Sequence, residues 1–261
     1  YHLLYRHLNY VASGRPGHIL PPFDVAILDE AHNAANIARD FLGEEATITF
    51  HAIYRCVASL HMVELLSYRP QAEALRGAIL DESRRLWALF KKRADDGQRI
   101  FQAPGDCQSL ALEGLLAQAA SLYQQVADAL SSMTKSVFAA ARNVAASNYM
   151  TLAQRCTKAV ERLSNIRLMK FKGLVYYIDG TETVKLRSKA LRVGSYMRDN
   201  LFLPTPSVIQ TSATLAVKGG GKSDFDYVKR EMGMQSLPAT ELTVASPFDW
   251  REQALLIVPE D

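Results

Sequence analysis

The chain of 261 residues is 48% apolar and 22% charged, with a formal net charge of +3, the balance of a globular chain long enough for one large domain or two modest ones. That charge is too small to establish a nucleic-acid partner by itself, no apolar run approaches the ~18 residues of a membrane span, and no signal peptide opens the chain. Cys56, Cys107 and Cys156 lie about fifty residues apart, which fits neither a zinc site nor an iron–sulfur cluster and reads as buried thiols in a reducing, cytoplasmic compartment.

In chain order, Tyr1-His-Leu-Leu-Tyr-Arg-His-Leu8 carries apolar Leu3, Leu4 and Leu8 at helical spacing. The chain opens on Tyr1 rather than Met and inside this element, as a trimmed or processed chain would. A Gly/Pro-rich turn from Gly14 to Pro22 leads into Val25-Ala-Ile-Leu28. Four apolar residues without alternation predict a strand buried on both faces of a parallel sheet. From about 46 to 172 the pattern is helical, with Ile53, Val57, Leu60 and Val63, then Leu75, Ile79, Leu86 and Leu89/Phe90. A break at Asp95-Asp96-Gly97 and Pro104-Gly105 separates these from Leu110, Leu115, Leu122, Val126 and Leu130. Val137, Val144, Leu152, Val160 and Leu163 mark a further helix. Such stripes predict two antiparallel helical hairpins forming a bundle. Beyond it, Leu174–Ile178 and Val184–Ser188 flank Asp179-Gly180, a strand–turn–strand signal. Ser207–Ser212 and Ala254–Val258 read as further strands, and Asp224–Met232 as a short helix ended by Gly233.

Chemistry concentrates at two strand ends. Val25-Ala-Ile-Leu-Asp-Glu-Ala-His32 places two adjacent acids at the carboxyl end of a strand, where α/β sheets bind ligands. One acid of such a pair can hold a Mg²⁺ shell and the other can accept a proton from an attacking water. The alternative is an acidic helix cap, with Asp29 preceding a helix from Asn33 to Phe41. Val208-Ile-Gln-Thr-Ser-Ala-Thr-Leu215 is a second strand running into hydroxyl residues. Its plainer reading is a strand end whose hydroxyls satisfy local backbone.

Together these segments resemble DinG/XPD-like superfamily 2 DNA helicases. The likeness rests on Ile27-Leu-Asp-Glu-Ala-His-Asn33, a long helical insertion and Thr211-Ser-Ala-Thr-Leu215, in that order. Tyr1-His-Leu-Leu4, Ala190–Phe202 and Ser246-Pro-Phe-Asp249 are similar to the family's flanking segments. The resemblance implies a mixed α and α/β fold: part of a RecA-like motor domain, built on a parallel sheet, with a large inserted α-helical arch domain. Its divisions would be 1–45 (motor domain 1, DEAH box), 46–172 (arch), 173–245 (return to motor domain 1) and 246–261 (joint to motor domain 2). Asp29 would bind Mg²⁺ through water, Glu30 would be the catalytic base, and His32, Ser212 and Thr214 would couple ATP hydrolysis to DNA movement. The family's P-loop and iron–sulfur cysteines lie before the segment matched by Tyr1, and its arginine finger lies after Asp261. The implied parent is a 5′–3′ DNA helicase using ATP and Mg²⁺, with this segment alone inactive. Whether the parent carries a cluster, and whether it serves repair, replication or mobile-element defence, stays open.

Ala216-Val-Lys-Gly-Gly-Gly-Lys-Ser223 meets a loose P-loop pattern but follows the DEAH strand instead of preceding it, and reads as a surface loop. Between Arg167 and Arg198 the cations Lys170, Lys172, Lys185, Arg187, Lys189 and Arg192 outnumber Asp179 and Glu182. Phe171, Tyr176, Tyr177 and Tyr196 are interleaved, a pattern suited to single-stranded DNA. The alternative is a solvated hairpin whose tyrosines pack inward. Lys170, Lys172, Lys185, Arg187 and Arg192 are the candidate DNA contacts, and duplex junctions the further substrate. Arg84-Arg85 and Lys91-Lys-Arg93 read as a solvated helix face. The histidines His2, His7, His18, His51 and His61 show no metal-ligand spacing, and Trp87 and Trp250 read as core or interface residues. A reading from another class makes the helices a non-catalytic module that binds single-stranded DNA or a protein partner.

Overall fold

The computed structural model of the chain describes residues 1–14, 16–43, 46–63, 65–133, 139–180, 182–219, 222–245, 247–255 and 257. They form two compact units, residues 1–37 with 193–261, and residues 38–192. Both helix and sheet are present, and no described helix is long and apolar enough to cross a membrane.

The first unit is organised around two parallel strands, β1 (Val25–Asp29) and β5 (Ser207–Thr211). They pair in register from Val25↔Ser207 to Asp29↔Thr211. Helix α1 (His2–Ala12) buries Tyr5 and Leu8. A short 3-10 turn, Ala31–Asn33, follows β1 and leads into α2 (Ala34–Gly43), through which the division between units passes. The unit resumes with α7 (Gly194–Met197), which continues as a π turn over Arg198–Phe202, and β5. A hairpin of β6 (Val217–Gly219) and β7 (Lys222–Asp224), α8 (Asp226–Met232) and α9 (Trp250–Gln253) complete it. Helix α8 ends as its sequence predicts. Gly233 adopts φ 76°, and a Cβ there would lie 2.0 Å from the Gly194 carbonyl oxygen.

Two expectations are corrected here. β1 is buried on one face only: Leu28 is 5% exposed, whereas Val25 and Ile27 are 53% and 66% exposed. An open groove runs along the strand, lined by Val25–Asp29 together with Tyr1, Leu4, Leu20 and Phe23. Ala254, Leu255 and Ile257 are not in a strand and pair with none among the described residues; Leu256 and Val258 lie outside them. Ser246 of the Ser-Pro-Phe segment also lies outside them.

The second unit is mainly helical. Thr49 in β2 (Ile48–Thr49) caps α3 (Phe50–Val57), its hydroxyl accepting from the Ala52 N–H at 3.0 Å. The chain continues through 3-10 turns into α4 (Arg69–Asp95), α5 (Leu110–Ser132) and α6 (Ala139–Arg167). These helices cover the predicted stripes, but Leu110 and Val144, read as stripe positions, are 67% and 64% exposed, and Val137 lies outside the described residues. A hairpin of β3 (Leu174–Asp179) and β4 (Lys185–Ala190) joins β2 in an antiparallel sheet of order β2-β4-β3. This hairpin belongs to the helical unit, beyond the residue 172 at which the sequence pattern changes. One continuous core contains Ile53, Leu86, Phe90, Leu116 and Leu163 from the helices and Tyr176, Ile178 and Leu186 from the hairpin. Trp87 is part of it and donates its indole N–H to the Val184 carbonyl at 2.9 Å. All three cysteines are buried and free.

A buried ion pair closes the α5–α6 hairpin. Glu113, 6% exposed, accepts two bonds from Arg167 at 2.8 and 3.1 Å and a third from the Ser109 hydroxyl at 2.6 Å. Arg167 is therefore committed to the core and not to a ligand. Removing one partner strands the other charge, which costs far more than replacing both. Arg167→Ala is expected to lower stability in urea denaturation by about 3 kcal/mol, and Glu113→Leu/Arg167→Met to recover most of it. A single-variant loss within about 0.5 kcal/mol, the range of an ordinary surface substitution, would contradict this.

Candidate functional site

The parallel register delivers the two motifs to one place. Asp29 and Thr211 are directly opposed at the ends of β1 and β5, so residues far apart in sequence meet at the carboxyl edge of the sheet. The Thr211 hydroxyl donates to Asp29 Oδ1 at 2.8 Å, and the Glu30 N–H donates to the same oxygen at 3.0 Å. Oδ1 is thus occupied, and the carboxylate is fixed in orientation.

Beyond the strand ends, Glu30, His32, Ser212 and Thr214 form a connected network. His32 Nδ1 and Ser212 Oγ are 2.8 Å apart, and Ser212 Oγ donates to Glu30 Oε2 at 3.2 Å. The Thr214 N–H donates to Ser212 Oγ at 3.3 Å, and the two hydroxyl oxygens are 3.5 Å apart. A serine hydroxyl has one proton. With that proton on Glu30, His32 must be the donor to Ser212, which assigns the proton to Nδ1 by network logic. His32 Nδ1 also lies 3.2 Å from Glu30 Oε2. These five predicted residues come together, in a site that is open to solvent, with Glu30 60% and His32 40% exposed.

Two features escaped the sequence reading. Glu30 has φ 49° and ψ 46°, the left-handed region that costs a non-glycine residue about 1–2 kcal/mol. This backbone turn lets the Glu30 carbonyl accept from the Asn33 N–H at 3.0 Å and swings the side chain toward Ser212. Strain of this kind clusters at functional sites. The second feature is a pair of tyrosines on α1. The Tyr1 hydroxyl donates to the Asp29 carbonyl at 2.7 Å, and the buried Tyr5 hydroxyl to the Ala34 carbonyl at 2.8 Å. They pin both ends of the acidic turn. Burial, then the charges of Asp29 and Glu30, push the Tyr1 phenol above its ordinary pKa. The signal for this role was helical spacing: Tyr1 and Tyr5 are one turn apart, on one face of α1.

Within residues 216–223, Val217–Gly219 and then Lys222 and Ser223 belong to the paired strands β6 and β7, with Gly219 opposite Lys222. Gly220 and Gly221 lie outside the described residues. The paired backbone here differs from the strand–loop–helix that cradles a phosphate.

The basic residues divide. Lys170, Lys172, Lys185, Arg187 and Arg192 all belong to the helical unit. Arg187 pairs with Asp179 at 2.9 Å, which raises the guanidinium pKa and lowers that of the carboxyl. Arg198 lies in the other unit and pairs with Asp199 at 2.8 Å. Of the aromatics, Tyr176 is buried, its hydroxyl against the Phe171 backbone. Tyr196 has a buried hydroxyl whose pKa is pushed up to about 12 by that burial. On α4, Arg84 and Arg85 pair with Asp81 and Glu82 one turn earlier, as a solvated face does. Among the described residues no three His, Cys, Asp or Glu side chains gather as a metal site.

With this geometry in view, the chain is 25% identical over 262 residues to the ATP-dependent DNA helicase YoaA of Haemophilus influenzae. The match takes in 99% of this chain and 38% of that protein. The chain is similar to a DNA helicase. It spans well under half the length of that relative, and no family model matches it.

The strained turn can be tested directly. Glu30→Gly relieves the left-handed backbone and should stabilise the chain by about 0.5–1 kcal/mol in urea denaturation, whereas Glu30→Gln should leave stability unchanged. A loss of stability on Glu30→Gly would contradict the conformation described.

Proposed function

We propose that this chain is part of an ATP-dependent 5′–3′ DNA helicase of the DinG/XPD type, containing the DEAH and Ser-Ala-Thr segments of one motor domain. The single observation that carries this reading is the contact between the motifs: Asp29 with Thr211, and Glu30 and His32 with Ser212. Chance occurrence of two short motifs would not place their polar atoms in one hydrogen-bonded network. The likeness to a DNA helicase supports the same reading.

The donor set fits a Mg²⁺–nucleotide. Mg²⁺ keeps several waters and takes one or two carboxylates together with phosphate oxygens. Asp29 has Oδ1 held by Thr211 and the Glu30 N–H, which leaves Oδ2 to meet a metal-bound water. Bound there, Mg²⁺ would neutralise charge on the transferring phosphoryl group. Glu30 would accept the proton of the attacking water. His32, Ser212 and Thr214 would sense that change, because a proton gained by Glu30 removes its charge, adds an O–H donor and weakens its acceptance from Ser212.

In this reading the helical unit is the arch, inserted between β1 and β5, and residues 246–261 lead toward a second motor domain. The open apolar face of Val25, Ile27 and Ile209 supports helices of the longer protein lying against it, since parallel sheets are covered by helices on both faces. Among the described residues no phosphate-cradling loop is identified, and an iron–sulfur cluster has no ligand set. The free chain should therefore hydrolyse ATP negligibly.

The test is a pair of ATPase assays, on this chain and on the longer protein that carries it. The chain alone should show no Mg²⁺-dependent turnover. In the longer protein, Glu30→Gln should reduce kcat by about 10²–10⁴-fold with nucleotide binding retained, while Ser212→Ala should preserve hydrolysis and abolish unwinding. Full turnover by the Glu30→Gln protein would overturn the assignment.

A further inference from the structure

The β3–β4 hairpin has two chemically different faces. Its pleat sends Tyr176, Ile178, Leu186, Ser188 and Ala190 inward, all buried, and Tyr177, Lys185, Arg187 and Lys189 outward. The register makes these outward residues a compact array. Tyr177 lies opposite Arg187, and Val175 opposite Lys189. On the far side of β3, Ile100 bridges to Tyr177 in antiparallel fashion and is 57% exposed. One row across the sheet therefore reads Ile100, Tyr177, Arg187.

Three cations alternate along β4, at positions two apart and so roughly 6.8 Å from one another. Same-face neighbours of any strand have this spacing, which is close to the phosphate repeat of an extended single strand; three cations in such a row belong on a solvated face and not an interior one. Two of them carry carboxylate partners: Arg187 with Asp179 at 2.9 Å and Lys189 with Asp40 at 3.0 Å. These pairs are 34–44% exposed, and each cation keeps N–H groups beyond the one its partner takes. The acids cluster toward the turn, at Asp179 and Glu182. Lys170, Lys172 and Arg192 add charge at the opposite end, where the Leu191 N–H bonds the Gly173 carbonyl. The face therefore carries mixed charge, with Asp179 against Arg187 toward the turn and Asp40 against Lys189 toward the other end.

We propose that this outward sheet face is a platform for single-stranded DNA, with a base stacked on Tyr177 beside Ile100 and successive phosphates along Lys185, Arg187 and Lys189. The choice of DNA over another polyanion rests on the helicase reading; the row of cations and the half-buried Tyr177 ring at its centre are independent of it. Stacking on an aromatic side chain with phosphates on adjacent cations is how sequence-tolerant single-strand sites are built. Within the aromatic set of residues 171–196 this assigns the contact to Tyr177 and frees Tyr176 and Tyr196 from it.

The experiment is titration of this chain into an oligo-dT strand carrying one 2-aminopurine and a terminal fluorophore, at ~50 and ~200 mM salt. The expected result is salt-dependent binding with a change in 2-aminopurine emission. Tyr177→Ala and Tyr177→Leu should each weaken binding about tenfold and lose the emission change, while Tyr177→Phe keeps both. Lys185→Gln/Lys189→Gln should leave the emission change and flatten the salt dependence by a log–log slope of about 1.4. Far-UV melting curves that match wild type confirm that each variant is folded. Wild-type affinity and emission in the Tyr177→Leu protein would overturn the platform. So would absence of binding at low salt, or equal competition by poly-glutamate. In each of these cases the ATPase result with Glu30→Gln would still decide the helicase reading separately.

Discussion

Everything in the candidate site depends on the parallel pairing of β1 with β5. Parallel neighbours cannot be joined by a tight turn, and here the connection runs through residues 30–206 and includes the whole helical unit. Register is as important as pairing. A slip of one residue would turn Leu28 to solvent and carry Thr211 away from Asp29. The network among Glu30, His32 and Ser212 is the downstream product of five aligned residue pairs.

Such an insertion is tolerable only if its two ends return close together, and the helical unit provides that internally. The Ser188 hydroxyl donates to the Gly43 carbonyl at 2.9 Å, and Lys189 pairs with Asp40 at 3.0 Å. The entering helix and the departing strand are thereby clamped. A Cβ on Gly43 would sit 1.9 Å from the Ser188 carbonyl oxygen, so only glycine permits this approach. With its ends already joined, the unit adds little loop-closure entropy, a term that grows only as the logarithm of length even in a flexible loop.

Much of this was legible from residues alone. The helical stripes located α3 to α6 because each buries one face against a common core, and Gly233 ended α8 where a left-handed residue was needed. The acids Asp29 and Glu30 and the hydroxyls Ser212 and Thr214 were legible at strand ends, whereas His32 was named only through the family resemblance. Other features depend on geometry that local pattern does not encode. An apolar run such as Val25–Leu28 reports what a strand can bury, not what covers it, so the exposed side of β1 was invisible. The left-handed Glu30 was hidden because nothing but glycine advertises positive φ. The cations between 167 and 198 look alike in sequence, yet Arg167 is drawn into the core by Glu113 and Arg198 is held by Asp199. Tyr176 and Tyr177 were separable in principle, since adjacent strand residues must face opposite ways.

The most direct measurement of the central claim is a methyl NOE spectrum of the chain with isoleucine δ1 methyls labelled. Ile27 and Ile209 are register partners on the open face of the β1–β5 pair, and Ile27→Val and Ile209→Val would identify their signals. Parallel pairing in this register predicts a cross-peak between these two methyls. Its absence, with Ile27 instead close to a different isoleucine, would mean that the strands are not paired as described and that the acids and hydroxyls do not form one site.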